Sequence, residues 1–149
     1  MNVADYLECI EKIDVRQATN EVIDETADVL SEANRQQMKE GVNSEGEIIR
    51  WQKDSHYPYT PAYARKKAKA GLQILVVDLK FEGGFHNALK TSRKDSSIQF
   101  DAPTPITEFL EENYTPKIFG LNDEKTAKYT EETFLPAFKE KIGQQSGLY

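Results

Sequence analysis

The first residues of the chain repeat apolar positions at helical spacing. Tyr6, Ile10 and Ile13 lie three or four residues apart, so they fall on one face of a helix. This pattern predicts a short amphipathic helix over residues 3–13.

A second, longer helix is predicted to follow. Asp14 and Gln17 form a capping-box pattern that starts it, and Gly41 is a typical stop. Its apolar stripe consists of Val15, Ala18, Val22, Thr26, Val29 and Ala33. Its opposite face is acidic and consists of Glu21, Asp24, Glu25, Asp28 and Glu32. This face is either solvated or meets a basic partner.

An irregular aromatic loop is predicted after a turn at residues 43–46. Four large aromatic residues occur within thirteen positions: Trp51, Tyr57, Tyr59 and Tyr63. Pro58 and Pro61 exclude a central strand or a regular helix across this span. The loop either folds over the core, held by its rings, or serves as a docking arm, because Tyr and Trp dominate interface hot spots.

A basic helix is predicted next. Thr60 offers an N-cap with Pro61 at the first helical position, and the helix over residues 61–70 ends at Gly71. Its lysines lie near the C-terminus, where cations suit the helix dipole.

The remaining segments predict a small sheet and further helices. The apolar run 74–77 predicts a buried strand, and residues 85–92 and 96–100 predict a hairpin closed around 93–95.

The C-terminal third is predicted to be helical. Thr104 starts a helix that ends near Asn113, and residues 118–121 form an apolar connector that plugs into the core. Asn122 caps a last helix, which Pro136 kinks or divides. Together the elements predict an α+β domain, in which a long N-terminal helix and C-terminal helices pack on a small antiparallel β-sheet. At 149 residues, the chain 1–149 most simply forms a single domain.

Composition narrows the class of protein. Hydrophobic residues make up 38% of the chain and charged residues 30%, which permits a core of modest size. No run approaches the ~18 apolar residues of a membrane span, and no signal peptide begins the chain, so no membrane partner is expected. Cys9 is the only cysteine, which excludes an intrachain disulfide and fits synthesis in a reducing cytoplasm.

Charge is strongly segregated along the chain. Residues 1–48 carry a net charge of −8, residues 49–100 carry +6, and residues 101–149 carry −4. A basic middle between acidic ends can bind nucleic acid, pair with the acidic end of a neighbouring copy, or remain a solvated surface with internal ion pairs. We rank assembly of identical copies above nucleic-acid binding, because the chain is acidic overall and lacks a nucleic-acid motif.

The residues predict no catalytic, cofactor or metal site. His56 and His86 do not have metal-ligand spacing, and nucleophile elbows and phosphate-binding glycine loops are missing from the sequence. One alternative remains: Asp78 and Lys80 follow an apolar run, as in Mg²⁺-dependent nucleases of restriction type. Such a pair at the end of a strand is more often two ordinary surface residues.

The order of segments between residues 34 and 89 resembles the phage virion-morphogenesis family. A helix ends near NRQQMKEG, and the turn NSEGEII, the aromatic SHYPYTPAY, the basic RKKAKAG and then DLKFEGGF follow. This order covers about a third of the chain. Gly83-Gly84-Phe85 departs from the family, in which many members place Thr-Gly before the aromatic residue.

The resemblance implies a non-enzymatic virion protein. It would be a tail-completion, terminator or neck component, made in the bacterial host cytoplasm, that forms a homo-oligomeric ring at the head–tail junction. Its implied partners are its own copies, other neck, connector or tail-tube proteins, and DNA passing through the lumen. A cellular adaptor of similar fold is a further alternative. The residues expected to contact partners are Trp51, Tyr57, Tyr59, Tyr63, Arg65, Lys66, Lys67 and Lys69.

Overall fold

The predicted α+β class is confirmed by the computed structural model, which describes residues 2–51, 58–114 and 116–147. In chain order the elements are α1 (Val3–Glu11), α2 (Val15–Glu25), α3 (Ala27–Lys39), α4 (Pro61–Lys69), α5 (Gly84–Ala88), β1 (Lys90–Lys94), β2 (Ser97–Asp101), α6 (Thr107–Asn113), a 3-10 turn (Pro116–Ile118), α7 (Asp123–Tyr129), a π-helical turn (Thr130–Phe134) and α8 (Leu135–Ser146). Within the described ranges, no helix is long and apolar enough to cross a membrane.

The long N-terminal helix is divided in two, contrary to the prediction. Its start is as expected, because the Asp14 side chain accepts a hydrogen bond from the backbone N–H of Gln17 at 2.9 Å. It breaks at Thr26, whose hydroxyl donates to the Val22 carbonyl at 2.7 Å and also lies 2.7 Å from the Tyr129 hydroxyl. A hydroxyl that bonds to the preceding turn bends a helix. The tertiary bond to Tyr129 joins this break to α7.

Much of the acidic face of α2 and α3 is paired within the chain. Lys141 of α8 lies 2.6 Å from Glu25 and 3.4 Å from Glu21, and Arg93 of β1 lies 3.1 Å from Asp24. These pairs join the N-terminal helices to the hairpin and to the last helix. Much of the face is therefore paired within the chain, although its carboxylates remain in contact with solvent.

The hairpin forms, but it begins later than predicted. Lys90 pairs with Asp101 and Lys94 with Ser97, so Asp95 and Ser96 make a two-residue turn. The preceding residues form α5, which follows a left-handed Gly83 at φ +89°. β1 packs against α2 and α3, while α7 packs on α3 and α8 packs on α2 and α1.

The predicted strand at residues 74–77 is wrong. Leu75 is 83% exposed, and only Val77 of this run is buried. The Gln73 side chain accepts from the backbone N–H of Leu75 at 2.9 Å and of Val76 at 3.1 Å. This local bonding satisfies the backbone without a strand partner.

The connector at residues 118–121 enters the core as predicted. Ile118 is fully buried, and α3 holds the connector through buried amides. The Gln37 side chain donates to the Gly120 carbonyl at 2.9 Å and accepts from the Asn122 N–H at 2.8 Å. Asn34 makes the equivalent pair of bonds to Gly120. Asn122 then caps α7, also as predicted, and α8 begins next to Pro136 after the π-helical turn.

Candidate functional site

The basic helix α4 begins and ends where the sequence predicts. Thr60 caps it, accepting from the N–H of Tyr63 at 3.4 Å, Pro61 occupies the first turn, and a left-handed Gly71 follows its end. One face of α4 carries Tyr63 and Lys67 at a spacing of four and turns toward the protein. The outward face is exposed and consists of Ala62, Arg65, Lys66, Ala68 and Lys69.

Lys67 is the centre of a buried polar network rather than a surface cation. Its ammonium donates to the Asp78 carboxylate at 2.6 Å and to the Tyr59 hydroxyl at 2.9 Å, and none of its surface is exposed. The Tyr59 hydroxyl donates to the same carboxylate at 2.9 Å and accepts from the Asp78 N–H at 3.0 Å. Every group in this triangle therefore has a partner, as buried polar groups require.

The network extends through Asp78 to two neighbouring segments. The His86 ring Nε2 lies 2.6 Å from the Asp78 carbonyl oxygen, which makes it the donor, and the Lys80 N–H donates to the Asp78 carboxylate at 3.1 Å. Between them, Leu79 is buried with a left-handed φ of +55°, a conformation that costs a non-glycine residue roughly 1–2 kcal/mol. The bonds around Asp78 hold this turn in place.

The charge states follow from these contacts. Burial acts to raise the pKa of Asp78, but the hydrogen bond from Lys67 and further donors outweigh it, so its pKa lies below the ordinary value. Burial lowers the pKa of His86, which favours the neutral ring. Burial raises the pKa of Tyr59, so its hydroxyl keeps its proton. The network is thus an ion pair flanked by a neutral phenol and a neutral imidazole.

This geometry corrects the expectation that Asp78 and Lys80 are two ordinary surface residues. Asp78 is 7% exposed and its carboxylate is bonded to Lys67, whereas Lys80 is exposed. In the part of the chain that the structure describes, no group of three or more His, Cys, Asp or Glu side chains gathers as a metal site would require.

A cleft of about 570 Å³ lies beside the network, and we call it the basic cleft. Its lining includes apolar and aromatic side chains, the two cations Lys66 and Lys80 and one acidic residue, Glu82; the apolar and aromatic ones include Tyr63, Phe81, Ile106 and Tyr114. The Lys66 ammonium lies 4.8 Å from the centre of the Phe81 ring, within the range of a cation–π contact. The centres of the Tyr63 and Phe81 rings are 6.1 Å apart. Ile106 lies at the rim and is 49% exposed. The cleft therefore combines an apolar floor with cations at its edge.

The described residues of the aromatic loop contribute packing more than free surface. Tyr59 is 4% exposed and belongs to the core, so the expectation that it contacts a partner is wrong, as it is for Lys67. Trp51 is half-buried, with its ring 5.3 Å from Tyr114 and 6.0 Å from Phe109. Tyr63 is half-buried at the cleft, and Tyr57 lies outside the described residues.

The cations of the middle segment remain largely without acidic partners. Among the described lysine and arginine residues between positions 49 and 100, two form ion pairs: Lys67 with Asp78, and Arg93 with Asp24. The others are exposed and form no ion pair with a described residue: Arg50, Arg65, Lys66, Lys69, Lys80, Lys90 and Lys94. The predicted charge segregation thus persists at this surface, while much of the acidic N-terminal face is neutralised internally.

The sequence does not predict that Lys80, Phe81 and Ile106 line one cleft. They come from two segments 25 residues apart, so no local spacing unites them. A signal for Lys67 did exist, because it follows Tyr63 by four residues and shares its helical face.

Comparison with family models, with characterised proteins and with solved structures finds no match to this chain.

Proposed function

We propose that this chain is a structural component of a tailed bacteriophage virion, a tail-completion, terminator or neck protein that acts as a homo-oligomeric ring at the head–tail junction. It performs no chemistry in this role. Its work is surface complementarity: each copy presents one surface to the next copy and another to the neighbouring ring of the particle.

The observation that carries the proposal is the outward face of α4 beside the basic cleft. Arg65, Lys66 and Lys69 are exposed and have no acidic partner among the described residues, while Lys67 points inward. Unpaired cations next to half-buried aromatic rings and an exposed aliphatic side chain are suited to a protein partner with an acidic rim. The order of segments that resembles the virion-morphogenesis family, and the α+β class, support the same proposal.

The fold also supplies the rigidity that a ring component needs. The buried pair Lys67–Asp78 fixes α4 to the segment that leads to the cleft, so the outward cations are held on a preorganised helix. Preorganisation lowers the entropy lost when a contact forms. DNA passing through the lumen of such a ring would be a second partner for the same cations.

A complementation assay tests the proposal. The gene is deleted from the genome that carries it, and wild type or a variant is supplied in trans. The variant Arg65→Glu/Lys66→Glu/Lys69→Glu should fold normally, because all three side chains are exposed, but should fail to restore joined heads and tails.

The matched control reverses three cations elsewhere: Arg16→Glu/Lys128→Glu/Lys139→Glu. These are also exposed and free of ion pairs with described residues. Equal particle yield from both variants would refute a role of the α4 face. A chain that is monomeric at high concentration and also missing from virions would refute the virion function itself.

A further inference from the structure

Helix α1 packs on α8 but leaves an apolar stripe largely exposed in the described chain. Val3, Leu7 and Ile10 are 77%, 53% and 43% exposed, and none of the nine residues of α1 is buried. They lie at positions i, i+4 and i+7, so they form one continuous stripe about 10 Å long. A stripe of this spacing is the form in which a helix is recognised by an apolar groove.

The helix is well formed despite its exposure. Asn2 accepts from the Asp5 N–H at 2.9 Å, and the Asp5 side chain accepts from the Asn2 N–H at 2.9 Å, which closes a reciprocal capping box. A capped helix that keeps its apolar residues exposed is prepared for a partner at small entropic cost.

The charges beside the stripe are acidic. Asp5, Glu8 and Glu11 are all exposed, and among the described residues the one ion pair of Glu8 is a solvent-exposed contact with Lys12 at 3.6 Å. Exposed pairs of this kind contribute little, so they are easily exchanged for a new partner.

The basic cleft has the complementary character. Tyr63, Phe81 and Ile106 give it an apolar lining. Its charged lining residues are Lys66, Lys80 and Glu82, a net charge of +1, and neither lysine forms an ion pair with a described residue. Its volume of about 570 Å³ accommodates several aliphatic side chains. None of the α1 residues lines this cleft in the same chain, where α1 packs on α8 instead.

We propose that the apolar stripe of α1 docks into the basic cleft of a second copy of this chain, with Glu8 and Glu11 facing Lys66 and Lys80 of that copy. The contact joins two different surfaces, so it is head-to-tail and repeats from copy to copy until a ring closes. It rests on the proposed function, for which it names the contact between neighbouring subunits.

Disulfide trapping between two tagged chains tests the contact directly. Both chains carry Cys9→Ser, which removes the native thiol; one also carries Leu7→Cys and the other Ile106→Cys. The docked state brings the two thiols together, so cross-linked heterodimer should form at least about tenfold faster than by random collision. The matched control replaces Ile106→Cys with Leu135→Cys, which is 39% exposed and outside the cleft. Equal rates with both partners would overturn the proposal.

Charge exchange provides an independent test of the same pairing. Glu8→Lys/Glu11→Lys should slow trapping, and adding Lys66→Glu/Lys80→Glu to the partner chain should restore it. All four side chains are exposed, so melting curves should stay unchanged. Failure of the second pair of substitutions to restore trapping would contradict the pairing. The pairing would also be contradicted if no trapping occurred and the protein instead floated with lipid vesicles through its helix α1.

The outcomes separate this contact from the proposed function. Absent trapping together with a requirement for the chain in joined particles would remove the contact and leave the function. Specific trapping together with normal particles in a deletion strain would leave the contact and remove the virion function.

Discussion

The Lys67 ammonium lies 2.6 Å from the Asp78 carboxylate inside the fold, although Lys67 belongs to a lysine-rich helix and Asp78 follows an apolar run. The sequence predicts both as surface residues. Because they are buried together, each is required to neutralise the other, and removal of either leaves an uncompensated charge.

We therefore expect Asp78→Ala to lower the free energy of unfolding by about 3–5 kcal/mol. The control is Asp24→Ala, which breaks the ion pair with Arg93 at the surface and should change it by at most about 1 kcal/mol. Urea unfolding monitored by circular dichroism measures both. A small effect of Asp78→Ala, equal to that of the control, would show that the pair is solvated.

The same geometry predicts a pH dependence through His86. Burial holds its pKa in the folded chain below the ordinary 6.5, so below that pH the unfolded chain takes up a proton more readily than the folded chain. The free energy of unfolding should therefore fall as pH drops below about 6.5, by up to ~1.4 kcal/mol per pH unit until the folded pKa is reached.

His86→Gln tests this dependence, because glutamine can still donate to the Asp78 carbonyl but does not titrate. Urea unfolding at intervals from pH 5 to pH 8 should show a weaker pH dependence for the variant than for wild type. Parallel curves for the two proteins would assign the effect to other groups.

Tyr59 is expected to act as a core residue. Tyr59→Phe removes the hydroxyl that bonds to Lys67 and Asp78, and should lower the free energy of unfolding by about 1–3 kcal/mol. Tyr6→Phe is the control, because Tyr6 is 49% exposed, and should change it by less than ~0.5 kcal/mol. An unchanged melting temperature for Tyr59→Phe combined with lost particle assembly would support the docking interpretation of the loop.

Alanine substitutions at two glycines distinguish the cost of backbone strain from the cost of a steric clash. Gly41 and Gly71 both have φ of +74°, but a Cβ on Gly41 would lie 2.7 Å from Val76 Cβ, whereas a Cβ on Gly71 meets nothing within 4 Å. Gly71→Ala should lower the free energy of unfolding by roughly 1–2 kcal/mol, because of backbone strain alone. Gly41→Ala should cost about 1–3 kcal/mol more, because Val76 must move. Equal melting temperatures for the two variants would show that the segment at Val76 moves to accommodate the added methyl group without a measurable cost.

The features that the sequence predicts correctly are those decided locally. The caps at Asp14, Thr60 and Asn122 depend on a side chain and a backbone N–H three residues away, so they are visible in the sequence. The buried connector at residues 118–121 follows from a short apolar pattern in the same way. The hairpin is predicted only in part, because residues 85–88 of its first predicted strand belong to helix α5 and its turn is at residues 95–96.

The features that it misses depend on distant partners. The break at Thr26 is bonded to Tyr129, 103 residues away, and the burial of Lys67 depends on Asp78 across a loop. The cleft escapes prediction for the same reason, because its aliphatic rim and its cations come from separate segments. The strand wrongly predicted at residues 74–77 is an exception, because there a local side chain, Gln73, bonds the backbone of Leu75 and Val76.

The most direct test of the virion proposal is the protein content of the particle. Particles produced by the genome that carries this gene are purified on a density gradient, and each protein is quantified by mass spectrometry. The proposal predicts that this chain is present in a fixed number of copies per infectious particle, together with portal and tail proteins. Infectious particles that contain the other structural proteins but lack this chain would contradict it.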